Sequence, residues 1–80
     1  MNKSIFSQQQ DQLRVLLKRI RVEAGLRQAD LAARLRQPQS FVSKYESGER
    51  RLDFLEIRQV CEATGVSLTA FARRFEASLR

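Results

Sequence analysis

From Gln8 to Ala24 the apolar side chains Leu13, Leu16, Leu17, Ile20 and Ala24 recur at steps of three and four. That is the spacing of one face of an α-helix, and Arg14, Lys18, Arg19 and Arg21 fill the other faces. Gly25 suits the left-handed residue that ends such a helix. Residues 1–7 are short and mixed, with Ile5 and Phe6 as the sizeable apolar groups. They are expected to form a flexible N-terminal arm, with 8–80 as the folded domain. A second helix is predicted over 28–35, with Leu31, Ala32 and Leu35 on its buried side and Ala29 and Ala33 allowing close approach. Pro38 stops it, because proline has no amide hydrogen and disfavours helix at Gln37. Proline also serves as a first helical residue, so a third helix is predicted over 38–46, ending at Ser47-Gly48. Val42 and Tyr45 form its inward side, and Gln39, Ser40, Ser43 and Lys44 its other face.

The same periodicity continues through Phe54, Ile57, Val60, Cys61 and Thr64 to Gly65. Asp53, with Glu56 three residues on, makes a capping pair at its start. Ser67 caps a last helix whose stripe is Leu68, Phe71, Ala72, Phe75 and Leu79. No segment alternates with period two. The fold class is therefore all-α, a compact five-helix domain with short connections.

Eighty residues make one domain, and an apolar share of 42% supplies one core without a deep pocket. The single Cys61 excludes an internal disulfide, and no His-Cys cluster offers a metal clip, so no cofactor is expected. No apolar run approaches the ~20 residues of a membrane span, and there is no signal-peptide core. A reduced, cytoplasmic setting is the expectation. The net charge of +6 is unevenly placed: residues 1–52 hold eleven Lys/Arg and five Asp/Glu, residues 53–80 four of each. A positive excess confined to the half with the second and third helices is the footprint of a surface that meets a polyanion.

Four pieces in order carry a family resemblance: Ile20-Arg21, Ala24-Gly25-Leu26-Arg27-Gln28 with Leu31-Ala32, Val42-Ser43-Lys44-Tyr45-Glu46-Ser47-Gly48, and Gly65-Val66-Ser67-Leu68. Over residues 13 to 71 the chain resembles the lambda-repressor-like (Cro/cI-type, XRE) helix-turn-helix domains. The resemblance implies an all-α DNA-binding fold whose third helix enters the major groove of double-stranded DNA, where each base pair shows a distinct donor and acceptor pattern. It implies base contacts from the first, second and sixth positions of that helix, Gln39, Ser40 and Lys44, with Ser43 beside them. Gln28, at the start of helix two, falls where the family places a phosphate contact. Arg27, Arg36, Gln37, Arg50 and Arg51 are phosphate candidates on charge and location. Arg21 and Glu46 suit the family's ion pair between helix one and the end of helix three.

Two features depart from the family pattern. The turn after helix two usually carries a glycine and then an apolar residue; here these are Arg36 and Gln37. A left-handed arginine would be strained by roughly 1 kcal/mol or more, so a differently shaped turn is expected. Phe41 stands where the family has a small residue, and is expected to pack in place of the lost apolar contact, the alternative being a thymine methyl. The functional expectation is a sequence-specific regulator, a repressor binding a palindromic operator as a homodimer, since one helix reads only a few base pairs. The last helix is the suspected dimer contact. With no sensor domain attached, a stand-alone regulator is expected, and the alternative is an antitoxin or protein-binding adaptor with a toxin or other protein partner. An enzyme is not expected: there is no histidine, Cys61 lies on a core stripe, and the carboxylates are scattered.

Overall fold

A computed structural model describes residues 5–80 as five helices, α1 (Ile5–Glu23), α2 (Gln28–Leu35), α3 (Gln39–Ser47), α4 (Phe54–Thr64) and α5 (Leu68–Ser78). Residues 1–4 of the expected arm lie outside the described residues, as do the side chains of Ile5 and Phe6. The first helix starts at Ile5, so residues 5–7, expected to be arm, are helical.

Each helix gives part of its apolar stripe to one core, while Ala24, Phe54, Ala72 and Leu79 of the expected stripes are exposed. Leu16, Leu17 and Ile20 come from α1, Leu31 and Ala32 from α2, Val42 and Tyr45 from α3, Val60 and Cys61 from α4, and Phe71 from α5. α1 packs against α3, α4 and α5; α2 packs against α3 and α4. The pair α2–α3 is thus held on two sides, which fixes how α3 is presented. Cys61 is buried, and burial pushes its thiol up to about 11, so it packs as a small apolar group.

The helix ends follow from local chemistry. Asp53 accepts from the Glu56 amide at 2.8 Å while the Glu56 carboxylate accepts from the Asp53 amide at 2.9 Å, closing a reciprocal capping box on α4. The Ser67 hydroxyl accepts from the Ala70 amide at 3.0 Å at the start of α5. α2 starts differently, with the Arg27 amide donating to Asp30 at 2.9 Å.

The turn between α2 and α3 corrects the sequence expectation. Arg36 does take the left-handed conformation, φ 56° and ψ 42°, the one non-glycine residue of positive φ among those described. Its amide donates to the Ala33 carbonyl at 3.1 Å, and the Gln37 amide to the Ala32 carbonyl at 2.9 Å. This is the Schellman closure that a glycine usually makes. The two backbone bonds hold the arginine where its Cβ is unfavourable. Pro38 is also corrected: with φ −67° and ψ 155° it is the extended residue before α3, which begins at Gln39.

Candidate nucleic-acid interface

On α3, Val42, Tyr45 and Glu46 are buried, which settles the inward face of a nine-residue helix. At about 100° per residue, Gln39, Ser40, Ser43, Lys44 and Ser47 share the opposite arc, about 140° wide. Gln39, Ser40, Lys44 and Ser47 are exposed and Ser43 is half-buried. Two hydroxyls on this arc turn back to the helix: Ser43 donates to the Ser40 carbonyl at 3.3 Å and Ser47 to the Lys44 carbonyl at 3.1 Å. Lys44 has no carboxylate partner among the described residues.

Glu46 is the anchor behind that arc. Arg21 donates to it through Nε at 2.7 Å and Nη2 at 3.0 Å, with the side chains only 10% and 4% exposed. The Glu46 carboxylate raises the Arg21 guanidinium above its ordinary value, chiefly through these hydrogen bonds. A third Arg21 nitrogen donates to the Leu26 carbonyl at 2.8 Å, tying the α1–α2 connection into the same cluster.

The second donor to Glu46 is Gln28, whose Nε2 lies 3.0 Å from Oε1. A carboxylate accepts only, so this bond fixes the orientation of the Gln28 amide and turns its Oε1 outward. There it lies 3.5 Å from Nε2 of Gln39, a long contact that orients more than it binds. Arg21, Glu46, Gln28 and Gln39 therefore form a relay from the core to the first exposed residue of α3. Its middle link, Gln28 on Glu46, has no signal in the sequence, where Gln28 is marked as a phosphate contact at the start of its helix and not as a partner of Glu46.

The cations expected at phosphates separate into two groups. Arg27 is paired with Asp30 at 2.9 Å, and Arg50 with Glu56 at 2.9 Å. Arg50 also lies over the Phe41 ring, 4.7 Å from its centroid. Arg36, Gln37 and Arg51 are exposed, and the side chains of Arg36 and Arg51 have no carboxylate partner among the described residues. Phe41 is half-buried, packed on the core and edge-to-face with Tyr45 at 5.7 Å. Burial also pushes the Tyr45 phenol well above its ordinary value.

A second residue of α1 also reaches the end of α3. Arg14 donates to the Glu46 carbonyl at 3.0 Å and packs beside Gly48, whose φ of +92° ends the helix. Its position on α1, seven residues before Arg21, is the only sequence signal for this role: both fall on the same side of the helix.

Comparisons with known proteins agree with this architecture. A helix-turn-helix family model matches residues 17–71. A solved structure of an XRE-family like protein from Pseudomonas syringae pv. tomato str. DC3000 is 42% identical, with a TM-score of 0.87 over 95% of this chain and 93% of that one. A solved wild-type restriction-modification controller protein is 22% identical, with a TM-score of 0.84 over 96% of this chain and 97% of that one, a likeness of fold. No curated protein matches by sequence. The chain belongs to the XRE family of helix-turn-helix proteins, a family of DNA-binding transcription regulators.

Proposed function

We propose that the chain is a sequence-specific repressor that binds a palindromic operator as a homodimer, with α3 in the major groove and α2 across the backbone. The observation that carries this reading is the relay behind Gln39. Gln28 and Glu46 steer one amide hydrogen of Gln39 sideways, and its carbonyl oxygen and second hydrogen remain for a base edge. An acceptor and donor side by side complement adenine, which offers N7 and N6 in the major groove. Ser40 and Lys44, exposed on the same arc, extend the readout, with Lys44 suited to the acceptors of guanine. Ser43 is the nearer neighbour of the helix backbone and serves a base or a phosphate.

Phosphate contacts fall to Gln28, Arg36, Gln37 and Arg51, with Arg27 and Arg50 contributing from within their ion pairs. Such contacts place the protein on the duplex without reading sequence. Duplex binding measured across a salt series is the direct test. The proposed function predicts that affinity falls linearly on a log–log plot with a slope set by the number of neutralised phosphates. Affinity that is absent at moderate salt, or indifferent to salt, would contradict it.

A further inference from the structure

A recess of about 180 Å³ lies between the first half of α1 and the α3–α4 connection. Among the described residues its wall holds three guanidiniums, Arg14, Arg50 and Arg51, with Gln10 and Tyr45 beside them, against one carboxylate, Asp11. Asp11 lies 3.5 Å from Arg14, and Glu56, outside the recess, pairs with Arg50 at 2.9 Å. Arg51 is exposed and has no carboxylate partner among the described residues. The recess therefore keeps one uncompensated positive charge. A guanidinium has five N–H donors, so Arg14 and Arg50 also retain donors beyond those pairs. Tyr45 is the buried member of the wall, and its hydroxyl is the one buried side-chain polar atom without a hydrogen-bond partner among the described residues. Such a group is costly to leave unpaired.

We propose that this recess binds a small free oxyanion, the size of phosphate or a short carboxylate, through Arg51 and Arg14, and that the bound anion opposes duplex DNA. Excess donors and an unpaired positive charge select an oxyanion, since guanidinium N–H groups match the oxygens of phosphate and carboxylate in pairs. Volume selects a small one, because pockets for drug-sized ligands run to roughly 300–1,000 Å³. Room for one group, with Asp11 in the wall, also favours a free anion over a duplex strand, whose further phosphates would meet that carboxylate.

The opposition rests on the proposed function, in which Arg51 meets a backbone phosphate; binding of the anion does not. Arg14 adds a second route, because it donates to the Glu46 carbonyl at the end of α3 at 3.0 Å. An anion that draws on Arg14 competes with that bond.

Titration of the whole chain with sodium phosphate at constant ionic strength, followed through its backbone amide signals by nuclear magnetic resonance, tests the site without DNA. The Gln10 and Arg51 signals are expected to shift and saturate with a dissociation constant tighter than about 10 mM, whereas chloride gives no saturation. Arg51→Gln and Arg14→Gln are each expected to raise that constant at least roughly fivefold. Arg19→Gln, at an exposed α1 position outside the recess, is expected to leave it unchanged. Because Arg51 is exposed, its variant keeps the fold and carries the test even if Arg14→Gln is destabilised. Phosphate at about twice its dissociation constant is expected to weaken duplex binding roughly threefold relative to chloride.

The inference is overturned by shifts that fail to saturate, by a constant unchanged in both recess variants, or by equal weakening in Arg19→Gln. Equal duplex affinity in the two salts would overturn the opposition. Loss of duplex affinity in Arg14→Gln without phosphate saturation would make the recess a backbone contact and overturn the free-anion site. A chain that binds phosphate here but ignores duplex DNA would refute the repressor reading and leave this site standing.

Discussion

Glu46 does more than any other side chain on α3, although it faces inward. Its carboxylate takes two hydrogen bonds from Arg21 and one from Gln28, and its carbonyl takes one from Arg14. Glu46→Ala would leave the Arg21 guanidinium buried without its counter-charge. Removing one partner of a buried pair costs about 3–5 kcal/mol, whereas the intact pair itself is close to neutral. Thermal unfolding is therefore expected to show a large loss of stability, and Glu46→Gln a smaller one, since an amide still accepts from Gln28 or Arg21. Equal stability of Glu46→Ala and wild type would remove the anchor from this account. Asp30 supplies a second residue-scale prediction. Arg27 holds its carboxyl down at about 2, against an ordinary 3.8, through side-chain and backbone hydrogen bonds. A depressed carboxylate stabilises the fold fully above pH 3.8 and loses that contribution as pH falls through about 2. Asp30→Asn is expected to lower the thermal midpoint above pH 3.8 and to flatten its fall below that value; a profile parallel to wild type would contradict the assignment.

Among the elements, the α2–α3 turn shows how far sequence reasoning reaches. The helix stripes, the glycine stops and the Asp53 and Ser67 caps are legible because each depends on neighbours three or four residues away. The shape at Arg36 is not legible in that way. Local preference argues against a left-handed arginine, but the two amide–carbonyl bonds of the closure and the packing of α2 on α3 and α4 outweigh a strain of about 1 kcal/mol. Arg36→Gly is accordingly expected to stabilise the fold by about 0.5–1 kcal/mol, raising the thermal midpoint by a few degrees. A lowered midpoint would show that the arginine side chain offsets its own strain. The relay to Gln39 was legible only in part, because the family resemblance pairs Arg21 with Glu46 but gives no sign of a Gln28 amide between Glu46 and Gln39. Phe41 illustrates the same limit: its packing on Tyr45 follows from the four-residue spacing, whereas the Arg50 guanidinium over its ring joins positions nine apart on either side of a helix end.

For the whole molecule, charge and apolar surface divide the labour. The basic half carries α2, α3 and the arginines proposed to meet phosphates, and the neutral half carries the apolar face of α4 and α5. Within the basic half, Arg51 and Arg50 are predicted to differ. Arg51→Ala should lower duplex affinity alike on all sequences and reduce the salt slope by about one, with little change in stability. Arg50→Ala should also lower the thermal midpoint, because it removes the pair with Glu56 and the contact with Phe41. The central claim is that α3 reads sequence through Gln39 and Lys44, and selection of bound duplexes from a random pool tests it most directly. The wild type is predicted to enrich an inverted repeat whose half-sites lie about one helical turn apart and contain a preferred adenine. The Gln39→Ala/Lys44→Ala variant is predicted to lose that enrichment while keeping salt-sensitive binding to unselected duplexes. No enriched sequence with the wild type, or the same repeat enriched as strongly by the variant, would contradict the account.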